Sequence, residues 1–362
     1  MSHPPVLTTL AREDAARHRA ELMATFSGRP NCVVGAFCLA DEGLLRELTT
    51  DVLYLNIASN NHQAKDRVAS SPDSRAKLKS PAQLKDGLAG DAAMVRGYPN
   101  HHAKYWLAGL LDEETPVGAL FSGDLTASAL DPASEAANSH ELLLQLAAAE
   151  ALELRSFVRW LMTAKPRTEV LPRRELLLSG SLPKLPTFRK LLLTSPNKTL
   201  KREVLALIAS ARETLDVTMW AVDSDNEVFA QLKAATKRVR VRLLAHEEPA
   251  NRRALEELAQ AGAEIRLCPG MHAKVWLADR DTTSAAIVAS ANLLADGLEE
   301  GYELGVRLEP GDSRLGAVTS FVAGREAAAR RWAPSAAPAE KTVRSLQQLD
   351  KVVRVAPRLK LF

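Results

Sequence analysis

Cysteine is scarce in this chain: Cys32, Cys38 and Cys268 are the three present in 362 residues, and no two stand at a metal-ligand spacing. That excludes a disulfide framework, and their apolar neighbourhoods point to buried thiols in a reducing compartment. Aromatic residues make up 5% of the chain, and no aromatic-rich interfacial helix is visible. No apolar run reaches the roughly 20 residues needed to span a bilayer. The opening Met1-Ser2-His3-Pro4-Pro5 lacks a basic region followed by an apolar core, so no secretory signal and a cytoplasmic location are expected. Carboxylate clusters for Mg²⁺ and His/Cys sets for Zn²⁺ are also missing, so no metal and no other cofactor is expected. The net charge of +3 is too small to announce a nucleic-acid binder by itself.

What the chain does have is an internal repeat. His101-His102-Ala103-Lys104-Tyr105-Trp106-Leu107-Ala108 returns as Met271-His272-Ala273-Lys274-Val275-Trp276-Leu277-Ala278, identical at six of eight positions. Side chains alternate along a strand, so His272, Lys274 and Trp276 would share one face while Ala273, Val275 and Leu277 pack on the other. The first copy follows the same rule, with Ala103, Tyr105 and Leu107 buried and both tryptophans as core anchors. Two imidazoles and two ammonium groups brought together by duplication would suit a phosphodiester site.

The surrounding pattern is an α/β one. In the second half, helical periodicity over 200–214, 226–235 and 254–261 alternates with strands over 217–222, 239–244 and 264–267. In the first half, 12–25 reads as a helix, and 32–39 and 52–57 as strands. Pro99 and Pro269 each stand three residues before a motif histidine. Glu141 to Leu146 resembles Glu303 to Leu308, each followed by a helix carrying Ser-Phe-Val. The expected fold is therefore two similar α/β/α lobes with mixed sheets, related by a pseudo-twofold axis. Expected boundaries are 1–165 for the first lobe, 166–198 for a Pro-rich basic linker, 199–333 for the second lobe and 334–362 for a basic tail. His18, His140 and His246 find no partner in the pattern and read as surface residues, and Arg240 and Arg242 as a solvated strand face.

His272-x-Lys274, four residues and then Asp279 resembles the HKD motif of the phospholipase D superfamily. Ser290-Ala291-Asn292 follows where that family has Gly-Ser-x-Asn, with Ala289 in place of the glycine, and Glu303 falls where members often carry a histidine-supporting glutamate. The first copy departs from this pattern. Gly109 stands in place of the aspartate, Phe121 in place of the glycine before Ser122, and Asp124 in place of the asparagine. Glu141 matches Glu303 across a short insertion.

The resemblance implies one site between two lobes and a covalent, metal-independent route. One histidine would attack phosphorus and the other would protonate the leaving oxygen, with His102 as nucleophile and His272 as general acid. Lys104, Lys274 and Asn292 would hold phosphoryl oxygens. Glu141 and Glu303 would fix the imidazole tautomers. Ser122, Asp124 and Ser290 would meet the substrate. Asp279 joins the catalytic set by motif position, although Asp279-Arg280-Asp281-Thr282-Thr283 also reads as a polar turn.

Fold cannot choose among phospholipases, phosphatidyltransferases and nucleases. Positive charge in 166–198 and 334–362, the lack of a membrane anchor and the Ser-x-Asn-Leu string favour a nuclease-like branch acting on DNA or RNA. The setting implied by that branch is bacterial DNA restriction or phage defence, where protein partners are compatible with the sequence. The rival expectations are a lipid phosphodiesterase and a weakly catalytic nucleic-acid-binding module.

Overall fold

The computed structural model describes residues 6–8, 11–26, 29, 32–35, 40–41, 52–58, 78–79, 94–98, 101–111, 115–123, 127–130, 139–163, 168–170 and 187–333. The first half contains β1 (Val6–Thr8), α1 (Ala11–Phe26), β2 (Cys32–Gly35), β3 (Ala40–Asp41), β4 (Val52–Ala58), β5 (Leu78–Lys79) and β6 (Met94–Tyr98). It continues through β7 (Tyr105–Ala108), β8 (Val117–Phe121), α2 (Ala127–Leu130), β9 (Leu142–Gln145), α3 (Ala148–Thr163) and β10 (Thr168–Val170). The second half contains β11 (Leu191–Leu193), α4 (Thr199–Ser210), β12 (Thr214–Met219), α5 (Glu227–Ala235), β13 (Arg240–Ala245), α6 (Arg252–Gln260) and β14 (Glu264–Leu267). It ends with β15 (Lys274–Ala278), β16 (Ala285–Ala289), α7 (Ala295–Glu299), β17 (Leu304–Leu308), α8 (Leu315–Ala328) and β18 (Arg330–Arg331).

Two eight-stranded mixed sheets result, ordered β1-β9-β8-β7-β2-β4-β6-β10 and β11-β17-β16-β15-β12-β13-β14-β18. Aligning the two octamers aligns these sheets strand for strand. In each, three strands run parallel (β2, β4, β6 and β12, β13, β14), and the repeated strand returns antiparallel beside the first of them. The two-lobed α/β expectation is met.

Alternation along the repeated strands decides the layers. Ala103, Tyr105 and Leu107 enter one core together with Ala273, Val275 and Leu277, and Phe157 of α3 and Phe321 of α8 pack into the same core. The sheets therefore share an interior into which one helix from each lobe packs its apolar face. Trp276 points the other way, into a core with Leu207, Phe229 and Leu258 from α4, α5 and α6. Trp106 meets Phe26 of α1, with ring centroids 5.8 Å apart. Helix α4 buries Leu200, Val204, Leu207 and Ile208, a spacing that gives one apolar stripe.

Several boundaries differ from expectation. The apolar period over 200–214 outlasts its helix, because residues 212–214 give their backbone N–H groups to the Asp279 carboxylate and so form a turn. The following strand accordingly starts at Thr214 and ends at Met219. The repeated strands begin at Tyr105 and Lys274, so the motif histidines lie just ahead of them. The stretch read as linker supplies an edge strand to each sheet, β10 on β6 and β11 on β17. Three-residue strands are too short to show a period. Arg242 is buried rather than solvated, with its guanidinium forked onto buried Asp216. Cys32 and Cys268 are buried thiols. Cys38, the tail and most of 59–93 lie outside the described residues.

Candidate active site

The topology gathers the chemistry at one edge of each sheet. Because β15 runs antiparallel to β12, its first residue lies beside the C-terminal end of β12. Strand β16 ends opposite Lys274, and β17 begins beside the end of β16. His272, Lys274, Ser290 and Glu303 are thus delivered to one edge, and His102, Lys104, Ser122 and Glu141 to the matching edge of the other sheet.

The two edges exchange parts. The backbone N–H groups of His102 and Ala103 donate to the carbonyl of Tyr302 (3.0 and 2.8 Å), and those of His272 and Ala273 donate to that of His140 (3.1 and 2.9 Å). The residue after each of these carbonyls is a motif glutamate, so each glutamate serves the histidine of the opposite lobe. Glu303 Oε1 lies 2.6 Å from His102 Nδ1, and His272 Nδ1 lies 2.9 and 3.0 Å from the two oxygens of Glu141. The histidine side chains keep 18% and 14% exposure against 3% for either glutamate, so a ligand reaches the imidazoles and not the carboxylates.

Behind each glutamate stands a serine. Ser122 Oγ donates to Glu141 (2.6 Å) and accepts from the Leu142 N–H (2.7 Å). Ser290 Oγ donates to Glu303 and accepts from the Leu304 N–H (3.0 Å). Both hydroxyls, expected to meet substrate, are instead buried and committed to orienting a carboxylate. A hydroxyl has one proton to give, and the glutamate takes it. Gly123 leaves room for this arrangement, since a Cβ there would fall 2.9 Å from the carboxyl carbon of Glu141.

The electrostatics favour charged glutamates and a neutral His102. Burial raises the carboxyl pKa of Glu141 and Glu303, but the facing histidine, the nearby lysine and the serine hydrogen bond outweigh it, and both lie below the usual carboxylate range. For His102, burial lowers the imidazole pKa; Glu303 pulls it up, while Lys104 and Lys274 push it down, and the result is lowered. With Nδ1–H turned to Glu303, Nε2 carries the lone pair, and Lys104 Nζ donates to it at 2.9 Å.

Lys104 and Lys274 are both buried at this edge. The Asn292 side-chain carbonyl accepts from the Ala221 N–H (3.3 Å), which leaves the NH₂ end as its donor. Asp124 lies outside the described residues. Asp279 does not join the site. It sits at the far end of β15, roughly 15 Å of strand from Lys274 at ~3.3 Å per residue. There its carboxylate collects the N–H groups of Arg212, Glu213 and Thr214 at 2.8 to 3.2 Å. Its φ of 55° matches the φ of 80° at Gly109, its counterpart in the first lobe. Both residues take a left-handed backbone conformation just after the repeated strand, so Gly109 fills in the first lobe the backbone place of Asp279 in the second. Among the described residues, no group of three His, Cys, Asp or Glu is arranged to hold a metal ion.

Four residues near the histidines were absent from the sequence assignments. Trp220 and His246 follow directly on β12 and β13, and their rings stack at 3.7 Å and 7°. Trp220 also meets the His272 ring edge-on at 5.3 Å. His140, beside Glu141, receives a hydrogen bond on Nδ1 from buried Arg325 (3.0 Å), and burial with that guanidinium lowers its pKa to about 4. His140 and His246 are half-buried and His18 is fully buried, so none of the three is a surface residue. The signal that could have found Trp220 and His246 is their place at the C-terminal ends of parallel strands, where α/β sheets bind ligands.

The fold is thus a duplicated α/β one that sets two His–Glu–Ser relays against each other, each shared between the two lobes. The family described as cardiolipin synthase, PLD-like domain, matches residues 204–314. Phosphatidylserine synthase of Haemophilus influenzae is similar along nearly the whole length, covering 96% of this chain and 95% of that one at 12% identity and a TM-score of 0.60. Polyphosphate kinase of Porphyromonas gingivalis matches 93% of this chain, which spans 52% of the kinase, at 14% identity and a TM-score of 0.53. Nuc of Salmonella typhimurium, a phospholipase D family member, matches 40% of this chain and 97% of its own, at 20% identity and a TM-score of 0.36. No curated protein matches the chain. Residues 204–314 thus match a PLD-like domain, and the likeness to the phosphatidylserine synthase shows a common fold along nearly the whole chain. Among the described residues, no helix is long and apolar enough to cross a membrane.

Proposed function

We propose that this protein is a metal-independent phosphodiesterase of the nuclease-like kind, cleaving DNA or RNA through a phosphohistidine on His102. The observation that carries this reading is the exchanged pair of His–Glu–Ser relays, which sets two reachable imidazoles against two buried carboxylates. An anionic diester entering between the lobes draws the Lys104 ammonium from His102 Nε2 onto a phosphoryl oxygen, which frees the nitrogen lone pair. Lys274 and the Asn292 NH₂ group hold the remaining oxygens as charge builds on them. Nε2 of His102 then attacks phosphorus; the P–N bond forms, the bond to the leaving oxygen breaks, and His272 gives that oxygen its proton. In the second half, neutral His272 takes a proton from water, the water oxygen attacks phosphorus, and the P–N bond breaks to release His102. Glu303 and Glu141 keep each ring in the tautomer these steps need.

Nucleic acid is the substrate favoured by the basic composition of 166–198 and 334–362. The test is to incubate purified protein in EDTA with single-stranded DNA, duplex DNA, RNA and phosphatidylcholine vesicles. Cleavage of a nucleic acid that persists in EDTA is the expected result. Activity lost in EDTA and restored by Mg²⁺ overturns the histidine route, and hydrolysis of the vesicles alone overturns the substrate assignment.

A further inference from the structure

One feature of the cleft has no part in the bond-breaking steps. Trp220 and His246 form a parallel ring stack beside His272, and both are half-buried. The stack is held rigidly. The buried Asn251 amide donates to the backbone carbonyls of Trp220 (2.8 Å) and His246 (3.2 Å), and its oxygen accepts from the Val222 N–H (2.9 Å). His246 is further fixed through Nδ1, which accepts from the Gly270 N–H at 3.0 Å, two residues before His272. That hydrogen bond leaves Nε2 as the ring's N–H donor.

A preformed stack of two flat rings at the mouth of a phosphodiester site suits a third flat ring. We propose that Trp220 and His246 are a nucleobase platform, which binds the unpaired base of the nucleotide whose oxygen leaves at His272. The platform therefore selects single-stranded nucleic acid. A base in a duplex is already stacked and paired and cannot reach the rings without first being unstacked. An unpaired base pays no such cost, and every base has a face to offer, so the selection is for strand state and not for sequence. The His246 Nε2–H adds a donor for an acceptor on the bound nucleotide. A quaternary ammonium headgroup is the less suitable occupant, since it would meet the ring N–H donor of His246 rather than a cage of aromatic faces.

This assignment rests on the nuclease reading above, and the test separates the two. The substrate is a short single-stranded oligonucleotide with one cleavable phosphodiester among methylphosphonate linkages. It is prepared with a base or with an abasic site at the leaving nucleotide. Wild type is expected to favour the base-bearing form by about ten- to hundredfold in kcat/KM, the range that base–aromatic stacking supports. Trp220→Ala should bring that ratio close to one, chiefly through KM, and Trp220→Phe should keep most of it. Because the comparison is made within each variant, any disturbance of His272 by the substitution cancels. A ratio unchanged in Trp220→Ala overturns the platform, as does an equal loss on both substrates with the ratio intact, which would reduce Trp220 to packing against His272. If Trp220→Ala spares the ratio and abolishes phosphatidylcholine hydrolysis, the rings bind an ammonium headgroup instead. If wild type cleaves neither oligonucleotide, the nuclease reading fails and the platform fails with it.

Discussion

The two halves of the cleft use the same parts and surround them differently. Each has a histidine with backbone N–H groups anchored on the other lobe, a buried lysine two residues on, and a glutamate held by a serine. Tyr302, whose carbonyl anchors His102, belongs to a set of ring contacts with Tyr98, His101 and Trp160. Its counterpart His140, which anchors His272, takes a hydrogen bond from the Arg325 guanidinium, and Trp220 of the Trp220–His246 stack meets the His272 ring. The duplicated parts are those the proposed two-histidine displacement uses, and in that proposal the two halves take different tasks. Burial and the positive charge of Lys104 on the His102 nitrogen lower that ring's pKa and favour its neutral form.

The largest expected effects come from the histidines, and they break the symmetry. His102→Ala and His272→Ala should each lower turnover on a nucleic acid by about a thousandfold or more. With a diester whose leaving group is a stabilised phenolate, His272→Ala should recover much of the rate of phenolate release in the first turnover, because such an oxygen needs no proton, while His102→Ala should recover none. Equal recovery in both variants would show that the roles are shared. Next come the glutamates: Glu303→Gln and Glu141→Gln should each cost about ten- to a hundredfold in turnover, as loss of a carboxylate that orients a working histidine does elsewhere. Both should slow formation of the intermediate, and Glu141→Gln should also slow its hydrolysis, where His272 is the base, a difference that single-turnover kinetics resolves.

A smaller effect is expected in the pH profile. A lowered pKa means that His102 stays deprotonated below its ordinary 6.5, so the nucleophile is available there and is lost only as pH falls through the lowered value. The acid limb of kcat/KM should therefore lie below pH 6.5, and Lys104→Met should move it upward by removing a positive neighbour. A limb that stays put in Lys104→Met would contradict the electrostatic account. The smallest effect on activity belongs to Asp279→Gly, which gives the second lobe the turn residue of the first. It should leave kcat near wild type and lower stability by about 1–3 kcal/mol, through backbone donors left without their acceptor. Thermal unfolding and turnover measured on the same preparation check both halves of that statement.

The repeated octamer makes the duplication legible in the sequence, and strand alternation puts Tyr105, Leu107, Val275 and Leu277 on a buried face, which the structure shows to be one core common to both sheets. The histidines and lysines were legible too, since spacing aligns them, and so were the glutamates once a short insertion before Glu141 is allowed. Which glutamate meets which histidine was not, because the exchange between Tyr302 and His140 depends on how the lobes face each other. Motif position also misplaced Asp279, since it gives a distance along the chain and not the end of the strand. Ser122 and Ser290 were found, but their role was not, because a serine near a phosphate site and a serine behind a carboxylate look alike in one dimension. Trp220 and His246 lie in single-copy segments after their strands, so a search for repeats passes over them.

The central claim is that two chemically equal halves perform unequal steps, and the covalent intermediate tests it directly. Enzyme mixed with a substrate labelled at the scissile phosphorus, quenched in alkali within one turnover and digested, should carry the label on the peptide containing His102 and none on the peptide containing His272. The label should build up in His272→Ala when the substrate has an activated leaving group, because that variant lacks the base for the water step. Label on the His272 peptide, or equal label on both, would contradict the account.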